Sequence, residues 1–204
     1  MFVGLALEAS AWGLVAFGRR NVWAVMTPVL VVLGLAAVVV GPPVWSPEVA
    51  ASSAIAVGLG LGLVLYLATR LFVFTVRGWG SFQRQSSGMY LRRGSLSLPA
   101  ILGLSVLLIV PGEEVFWRGL FQVELAGSLG GRTALAALLS WGAFVLANLP
   151  SANLAIVAGA VVGGAVWSGL GWWCGGALAP LACHGAWTAL MLAFPVVRPA
   201  EATV

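Results

Sequence analysis

The sequence predicts an all-α protein, a polytopic bundle of about seven transmembrane helices with its N-terminus outside and its C-terminus inside the cell. Of the 204 residues, 61% are hydrophobic and only 8% are charged, whereas a typical soluble domain has about 25% charged residues. So little charge cannot coat a water-facing globule. The composition therefore excludes a soluble enzyme, a nucleic-acid-binding protein and a disordered regulator.

Seven apolar runs approach the ~20 residues that a helix needs to cross the bilayer core. They cover residues 2–18, 22–40, 49–69, 97–125, 133–149, 153–173 and 175–195. The first run is short and contains Glu8, so a cleaved signal peptide is an alternative there. However, no basic residue precedes it, and Arg19 and Arg20 follow it. We therefore keep it as a span and treat residues 1–204 as one membrane domain.

The arginines set the predicted orientation, because cytoplasmic loops of membrane proteins are enriched in basic residues. The chain has no lysine, and ten arginines against six glutamates give a net charge of +4. With the N-terminus outside, Arg132 falls in an outer loop and Arg118 within a span, and the other eight arginines fall inside. These are Arg19, Arg20, Arg70, Arg77, Arg84, Arg92, Arg93 and Arg198. Anchoring of cytoplasmic loops thus explains the positive charge, and we expect no nucleic-acid partner.

The most informative segment is LLIVPGEEVFWRGLFQ, residues 107–122, where three charges interrupt an apolar run. Each charge at mid-bilayer costs at least ~2.5–3.5 kcal/mol, so the segment needs a structural reason or a function. On a helix, Glu114 and Arg118 are four residues apart and can pair, which leaves Glu113 free. A buried pair that fixes helix register is the alternative, but that role does not need a second acid.

Pro111 and Gly112 immediately precede the glutamates and are expected to break or kink the helix. Irregular backbone at membrane depth is tolerated where it lines a cavity or is buried in protein. If the spans are straight, Glu113 and Asn148 are expected at different depths in the membrane, although the site needs them close together. Glu113 lies 16 residues from residue 97, or about 24 Å into its span, whereas Asn148 lies near the cytoplasmic end of the next span.

Three further polar residues lie within or at the end of apolar runs. His184, the only histidine, is near the centre of the last span. Thr188 follows four residues later and shares its helix face, and Asn148 ends the fifth span. A histidine satisfied by a carbonyl, and an asparagine that merely ends a helix before Pro150, are the alternatives.

Together these residues resemble the CPBP family of intramembrane proteases, which includes type II CAAX prenyl endopeptidases and bacteriocin-processing or self-immunity proteins. The family motif EExxxR is present as EEVFWR, residues 113–118. The motif FxxxH is present as FVLAN, residues 144–148, with asparagine in place of histidine. The last motif, a histidine followed four residues later by a small polar residue, is present as His184 and Thr188. The resemblance covers about Pro99–Ala193.

The resemblance implies a glutamate-type peptidase inside the bilayer, with residues 97–195 as its catalytic helical core and residues 1–96 as N-terminal spans and a basic loop. In such a protein the first glutamate and the second-motif residue activate a water. The last histidine and its partner stabilise the oxyanion, while the second glutamate and the arginine orient the site. Here Glu113 and Asn148 would activate the water. His184 and Thr188 would stabilise the oxyanion, and Glu114 and Arg118 would orient the site.

The asparagine matters because it cannot accept a proton as an imidazole does. Glu113 would therefore activate water alone or with His184, while Asn148 could orient water or donate to an oxyanion. We expect no metal and no other cofactor. Catalytic zinc needs three protein ligands and an open position, and Arg118 beside Glu114 would repel a dication.

The expected partners are the lipid bilayer and a membrane-anchored protein or peptide, which is cut near its C-terminus. Prenyl-CAAX processing, bacteriocin maturation and myxosortase-like removal of sorting anchors all stay open, and the bacterial inner membrane is the expected location. One alternative is an inactive relative that binds a hydrophobic peptide or lipid tail. Another is a small proton-coupled transporter, which would not need His184 near the glutamates.

Overall fold

A computed structural model describes residues 2–91 and 96–197, and within these ranges the chain is helical with no strand. Eight helices follow one another: α1 (Phe2–Ala16), α2 (Val22–Val40), α3 (Ala51–Thr75), α4 (Gly80–Leu91), α5 (Leu98–Ser128), α6 (Thr133–Asn148), α7 (Leu154–Cys174) and α8 (Leu178–Ala193). The all-α prediction is confirmed. Arg92, Arg93 and Arg198, which entered the predicted orientation, lie outside the described residues.

Each of the seven predicted spans corresponds to a helix. Five helices, namely α2, α3, α5, α6 and α7, are long and apolar enough to cross a membrane. The other two, α1 and α8, are apolar but have only 15 and 16 residues.

One helix, α4, corresponds to none of the seven predicted spans. It lies in the polar stretch between the third and fourth spans, where the sequence indicated no helix. Its position is fixed by Gln85, whose side-chain oxygen accepts a hydrogen bond from the Leu154 amide at 2.6 Å. The Gln85 carbonyl also accepts from the Asn153 side chain at 3.4 Å. Because Asn153 caps α7, these bonds join α4 to the start of that helix.

Of the break or kink expected at Pro111 and Gly112, the break is wrong, because α5 runs without interruption through both residues. Two π-helical segments, Ser105–Ile109 and Val115–Phe121, flank them. The ring of a proline conflicts with the carbonyl four residues earlier, and here that residue lies in the wider first segment. Gly112 instead serves packing, since a Cβ there would collide with the backbone carbonyl of Leu30 in α2.

The antiparallel pair formed by α5 and α6 resolves the conflict of depth. Glu113 lies 15 residues before Ser128 at the end of α5, and Asn148 lies 15 residues after Thr133 at the start of α6. At 1.5 Å per residue both therefore lie about 22 Å from the turn that joins the helices. Glu113 and Asn148 therefore lie at the same depth, although one is in the middle of its helix and the other at the end. The reason is that α5, measured from the turn, is much longer than α6.

Small residues bring α3 and α8 into close contact. A Cβ on Gly58 would lie 2.5 Å from the carbonyl oxygen of Ala179, and one on Gly62 would lie 2.7 Å from that of Cys183. Only glycine permits such an approach, which is typical of packed membrane helices. Because Cys183 precedes His184, this contact also sets the position of the histidine.

The connection between α2 and α3, residues 41–50, packs over the turn between α7 and α8. The amides of Ala177 and Leu178 donate to the carbonyls of Val44 and Trp45 at 2.9 and 3.0 Å. Gly176 lies against the same two carbonyls, where a Cβ would not fit. The connection thus holds the beginning of α8, the helix that carries His184.

Candidate active site

Four of the six residues singled out from the sequence lie together between α5 and α8. The Oε1 atom of Glu114 is 2.8 Å from His184 Nδ1 and 3.1 Å from Arg118 Nη1. The Oε2 atom of Glu113 lies 3.9 Å from the same imidazole nitrogen. Two acids and a histidine 70 residues apart along the chain thus share one buried space.

Arg118 is fully buried and its charge is compensated on several sides. Besides Glu114, its guanidinium donates through Nη2 to the carbonyl of Gly164 and the hydroxyl of Ser168, both at 3.4 Å. It also lies 4.6 Å from the ring centre of Phe144, a favourable cation–π arrangement. This arginine therefore joins α5 to α6 and α7 and holds the Glu114 carboxylate in place.

Glu113 differs from Glu114 in its access and its contacts. Its side chain is 11% exposed, whereas that of Glu114 is completely buried. At 3.9 Å its oxygen is beyond direct hydrogen-bond distance from His184. Glu113 is therefore the carboxylate that remains available to a water molecule or a substrate.

The imidazole of His184 is fixed from two directions. Its Nδ1 faces Glu114, and its ring stacks on the indole of Trp167 with centroids 3.7 Å apart and planes 16° apart. A carboxylate accepts hydrogen bonds, so it favours a proton on Nδ1. The Nε2 atom is then the nitrogen left to face a reacting group.

Asn148 lies in a neighbouring cluster around Glu8 of α1. The Glu8 carboxylate is fully buried and accepts from the Trp117 indole at 2.8 Å and from the Asn148 amide at 3.3 Å. Within residues 2–91 and 96–197, no hydrogen bond joins Asn148 directly to Glu113 or His184. Trp117, between Glu114 and Arg118 in sequence, connects the two clusters.

Thr188 faces a cavity next to the cluster instead of the acids themselves. It is half-buried, one turn beyond His184, and makes no hydrogen bond through its side chain within the described part of the chain. The cavity has a volume of about 750 Å³ and a mainly apolar wall drawn from α3, α4, α5, α7 and α8. It therefore adjoins the acids and histidine without including them.

Sequence reasoning missed Glu8, Trp117, Trp167 and Ser168 as parts of this region. For Glu8 a signal was available, because an acid within a short apolar helix needs a partner. Trp117 lies inside the EEVFWR segment, but the motif leaves its position open. Nothing local distinguishes Trp167 from the other tryptophans, of which the chain has ten. Ser168 resembles any small residue of a packed membrane helix.

A family model described as Type II CAAX prenyl endopeptidase Rce1-like matches residues 89–190. The match covers half of the chain and contains all six candidate residues. The chain belongs to this family. No curated protein and no solved structure matches it in the corresponding comparisons.

Membership of the type II CAAX prenyl endopeptidase family agrees with the resemblance seen in the sequence. This is a protease family, and together with the five long apolar helices it identifies an integral membrane protein. The matched segment begins within α4 and ends within α8. Glu8 therefore lies outside the part of the chain that the family describes.

The acids and histidine are poorly arranged for a metal ion. Among the described residues, no group of three or more His, Cys, Asp or Glu side chains is placed to hold one. The Oε1 atom of Glu114 already contacts Arg118 and His184, and a guanidinium beside that oxygen would repel a dication. The side chains of this site therefore do not suit a catalytic metal ion.

Proposed function

We propose that the protein is an intramembrane endopeptidase that hydrolyses a peptide bond of a membrane-anchored protein, with Glu113 as the general base. The observation that carries this proposal is the convergence of Glu113, Glu114 and His184, with Nδ1 of the histidine 2.8 Å from one acid and 3.9 Å from the other. This grouping within apolar helices provides a base, an orienting acid and a donor.

The reaction follows from the access of each group. Glu113 takes a proton from water, and the hydroxide formed attacks the carbonyl carbon of the peptide bond. His184 takes part as the imidazolium, with Glu114 bound at Nδ1, so that Nε2 also carries a proton and donates to the carbonyl oxygen as it becomes negative, with Thr188 as its partner. The C–N bond then breaks, and the amine leaves with the proton that Glu113 received.

The cavity beside Thr188 supports a substrate with an apolar segment. Its wall is mainly apolar, which suits the part of a membrane-anchored protein that lies in the bilayer. The wall includes Ser86 and Ser105, but their hydroxyl oxygens are buried and do not face a substrate.

The cavity also bears on orientation. It is lined by the C-terminal halves of α3 and α8, by α4, and by the first residues of α5 and α7. In the arrangement of seven spans with the N-terminus outside, which counts the short helices α1 and α8 as spans, all these ends lie on the cytoplasmic side. We therefore propose that substrate enters from the cytoplasmic side. The membrane that we propose is the bacterial inner membrane.

The test replaces Glu113 with glutamine in the native host and compares membrane-bound and released proteins with those of the unaltered strain. Glu124→Gln is the matched control, because Glu124 is an exposed acid on the same helix. We expect at least one protein to persist at its uncleaved size in the Glu113→Gln strain only. Thr188→Val should slow the same cleavage.

Three results would contradict the proposal. If no protein changes size although the Glu113→Gln chain is present in the membrane, the peptidase is excluded. If the variant and the unaltered chain retain the same hydrophobic protein equally and neither cuts it, the chain is a binding protein. Proton flux into proteoliposomes that depends on Glu113 and not on His184 would instead indicate a transporter.

A further inference from the structure

Glu8 is a buried acid that the proposed reaction does not use and that the family match does not include. Its side chain has no exposed surface, although an isolated charge at this depth is costly. Its two oxygens each accept one hydrogen bond, Oε2 from Trp117 Nε1 at 2.8 Å and Oε1 from Asn148 Nδ2 at 3.3 Å. The N-terminal helix therefore places a third carboxylate beside the candidate site.

The neighbours of Asn148 determine which way its amide group faces. Its nitrogen donates to the Phe144 carbonyl at 2.9 Å and to Glu8 at 3.3 Å. An asparagine amide has two N–H donors, and both are used by these acceptors. Exchanging nitrogen and oxygen would set the amide oxygen against two acceptors, so the contacts fix the orientation.

The fixed amide decides what Asn148 can offer to a reaction. With both N–H groups bound, its free polar atom is Oδ1, which accepts hydrogen bonds and does not donate them. Of the two roles that the sequence left open, donation to an oxyanion is therefore disfavoured. Because Asn148 lies at the same depth as Glu113, an acceptor there suits a water molecule between the two residues, since water can donate a hydrogen bond to each.

We propose that Glu8 is a positioning residue, which acts through Asn148 by holding the asparagine oxygen where it accepts a hydrogen bond from the water that Glu113 activates. Asn148 stands where the family motif has histidine, and the contact with Glu8 makes it a hydrogen-bond acceptor. The proposal rests on the proposed peptidase activity. It predicts that the contribution of Glu8 to the reaction disappears when Asn148 is absent.

The test is a double-mutant cycle of Glu8→Gln and Asn148→Ala on the cleavage revealed by the Glu113 experiment, with the full chain in detergent and the identified protein as substrate. A glutamine at position 8 cannot accept from both donors with one oxygen. We expect kcat to fall by about 100-fold, the loss associated with misplacing a reacting group by about 1 Å, with KM unchanged. The double variant should be no slower than Asn148→Ala alone.

Controls separate this effect from loss of folding. Each variant is checked by thermal unfolding followed by tryptophan fluorescence, and Glu124→Gln should behave as the unaltered chain in all measurements. If Glu8→Gln does not fold, Glu8→Met replaces it, because methionine has a similar volume and adds no unpaired amide.

The outcomes of the two proposals are distinguishable. If Glu113→Gln is inactive but the folded Glu8→Gln variant keeps its kcat, or if its loss adds to that of Asn148→Ala, the positioning role is wrong and the peptidase stands. If Glu113→Gln is fully active, the proposed function fails. If the unaltered chain cuts nothing, both proposals fall.

Discussion

The indole of Trp167 lies parallel to the imidazole of His184, with ring centroids 3.7 Å apart and planes 16° apart. Because Glu114 contacts the edge of the same imidazole at 2.8 Å, the ring is held at its face and at its edge. The orientation of the histidine therefore depends on a side chain that belongs to no recognised motif of the sequence.

The stacking leads to a first prediction, that Trp167→Leu slows cleavage. Aromatic pairs contribute about 0.5–1.5 kcal/mol beyond the area they bury, so we expect the rate to fall by a factor of about 2 to 10. The measurement is the cleavage rate of the substrate in detergent. Trp172→Leu is the matched control, since Trp172 is on the same helix and 53% exposed. Equal effects of both substitutions would refute a specific role for the stack.

Arg118 gives a second prediction, which concerns stability. Both Arg118 and Glu114 are completely buried, so Arg118→Met leaves a carboxylate without its main compensating charge. Breaking a buried ion pair in this way costs about 3–5 kcal/mol of the free energy of unfolding. The measurement is denaturant unfolding in detergent micelles, followed by tryptophan fluorescence. Arg70→Lys, at an exposed position, should change this free energy by less than about 1 kcal/mol, and a similar loss for both would contradict the argument.

The contact between α3 and α8 gives a third prediction. Gly62→Ala forces the helices apart, because its Cβ would lie 2.7 Å from the backbone oxygen of Cys183. We expect the free energy of unfolding to fall by about 1–3 kcal/mol, the usual effect of overpacking. Gly60→Ala, where nothing lies within 4 Å, should be neutral or slightly stabilising. Thermal unfolding of the two variants side by side decides the matter, and identical curves would disprove the close approach.

A fourth prediction concerns the asparagine that replaces the family's histidine. Asn148→His restores the motif, and the Glu8 carboxylate is placed to accept a hydrogen bond from the new ring. We expect Asn148→His to retain or increase the cleavage rate, and Asn148→Leu to lower it by about 100-fold, the loss associated with misplacing a reacting group by about 1 Å. Unchanged cleavage by Asn148→Leu would show that this position has no part in the reaction.

The sequence predicted the helices well because apolar runs of membrane length leave little freedom. It missed α4, whose residues are too polar to stand out from a loop. It was also wrong about Pro111, because whether a proline breaks a helix depends on the width of the preceding turn. The pairing of Glu114 with Arg118 was predictable because the two are four residues apart on one helix.

The environment of Asn148 was not predictable in the same way. Glu8 lies 140 residues away along the chain, and no periodicity relates positions on separate helices. The level that Asn148 shares with Glu113 follows only from the lengths of α5 and α6 and the place of their turn. Motifs thus located the reactive residues, whereas the residues that hold them required coordinates.

The hydrogen bonds of Glu8 set a limit on how the protein can be shortened for study. A fragment beginning at residue 89, where the family match begins, would keep every motif and yet strip the acceptor from the indole of Trp117 and the amide of Asn148. Truncated proteins and chimaeras whose boundaries follow the motifs alone would therefore leave two hydrogen-bond donors without a partner in the membrane interior.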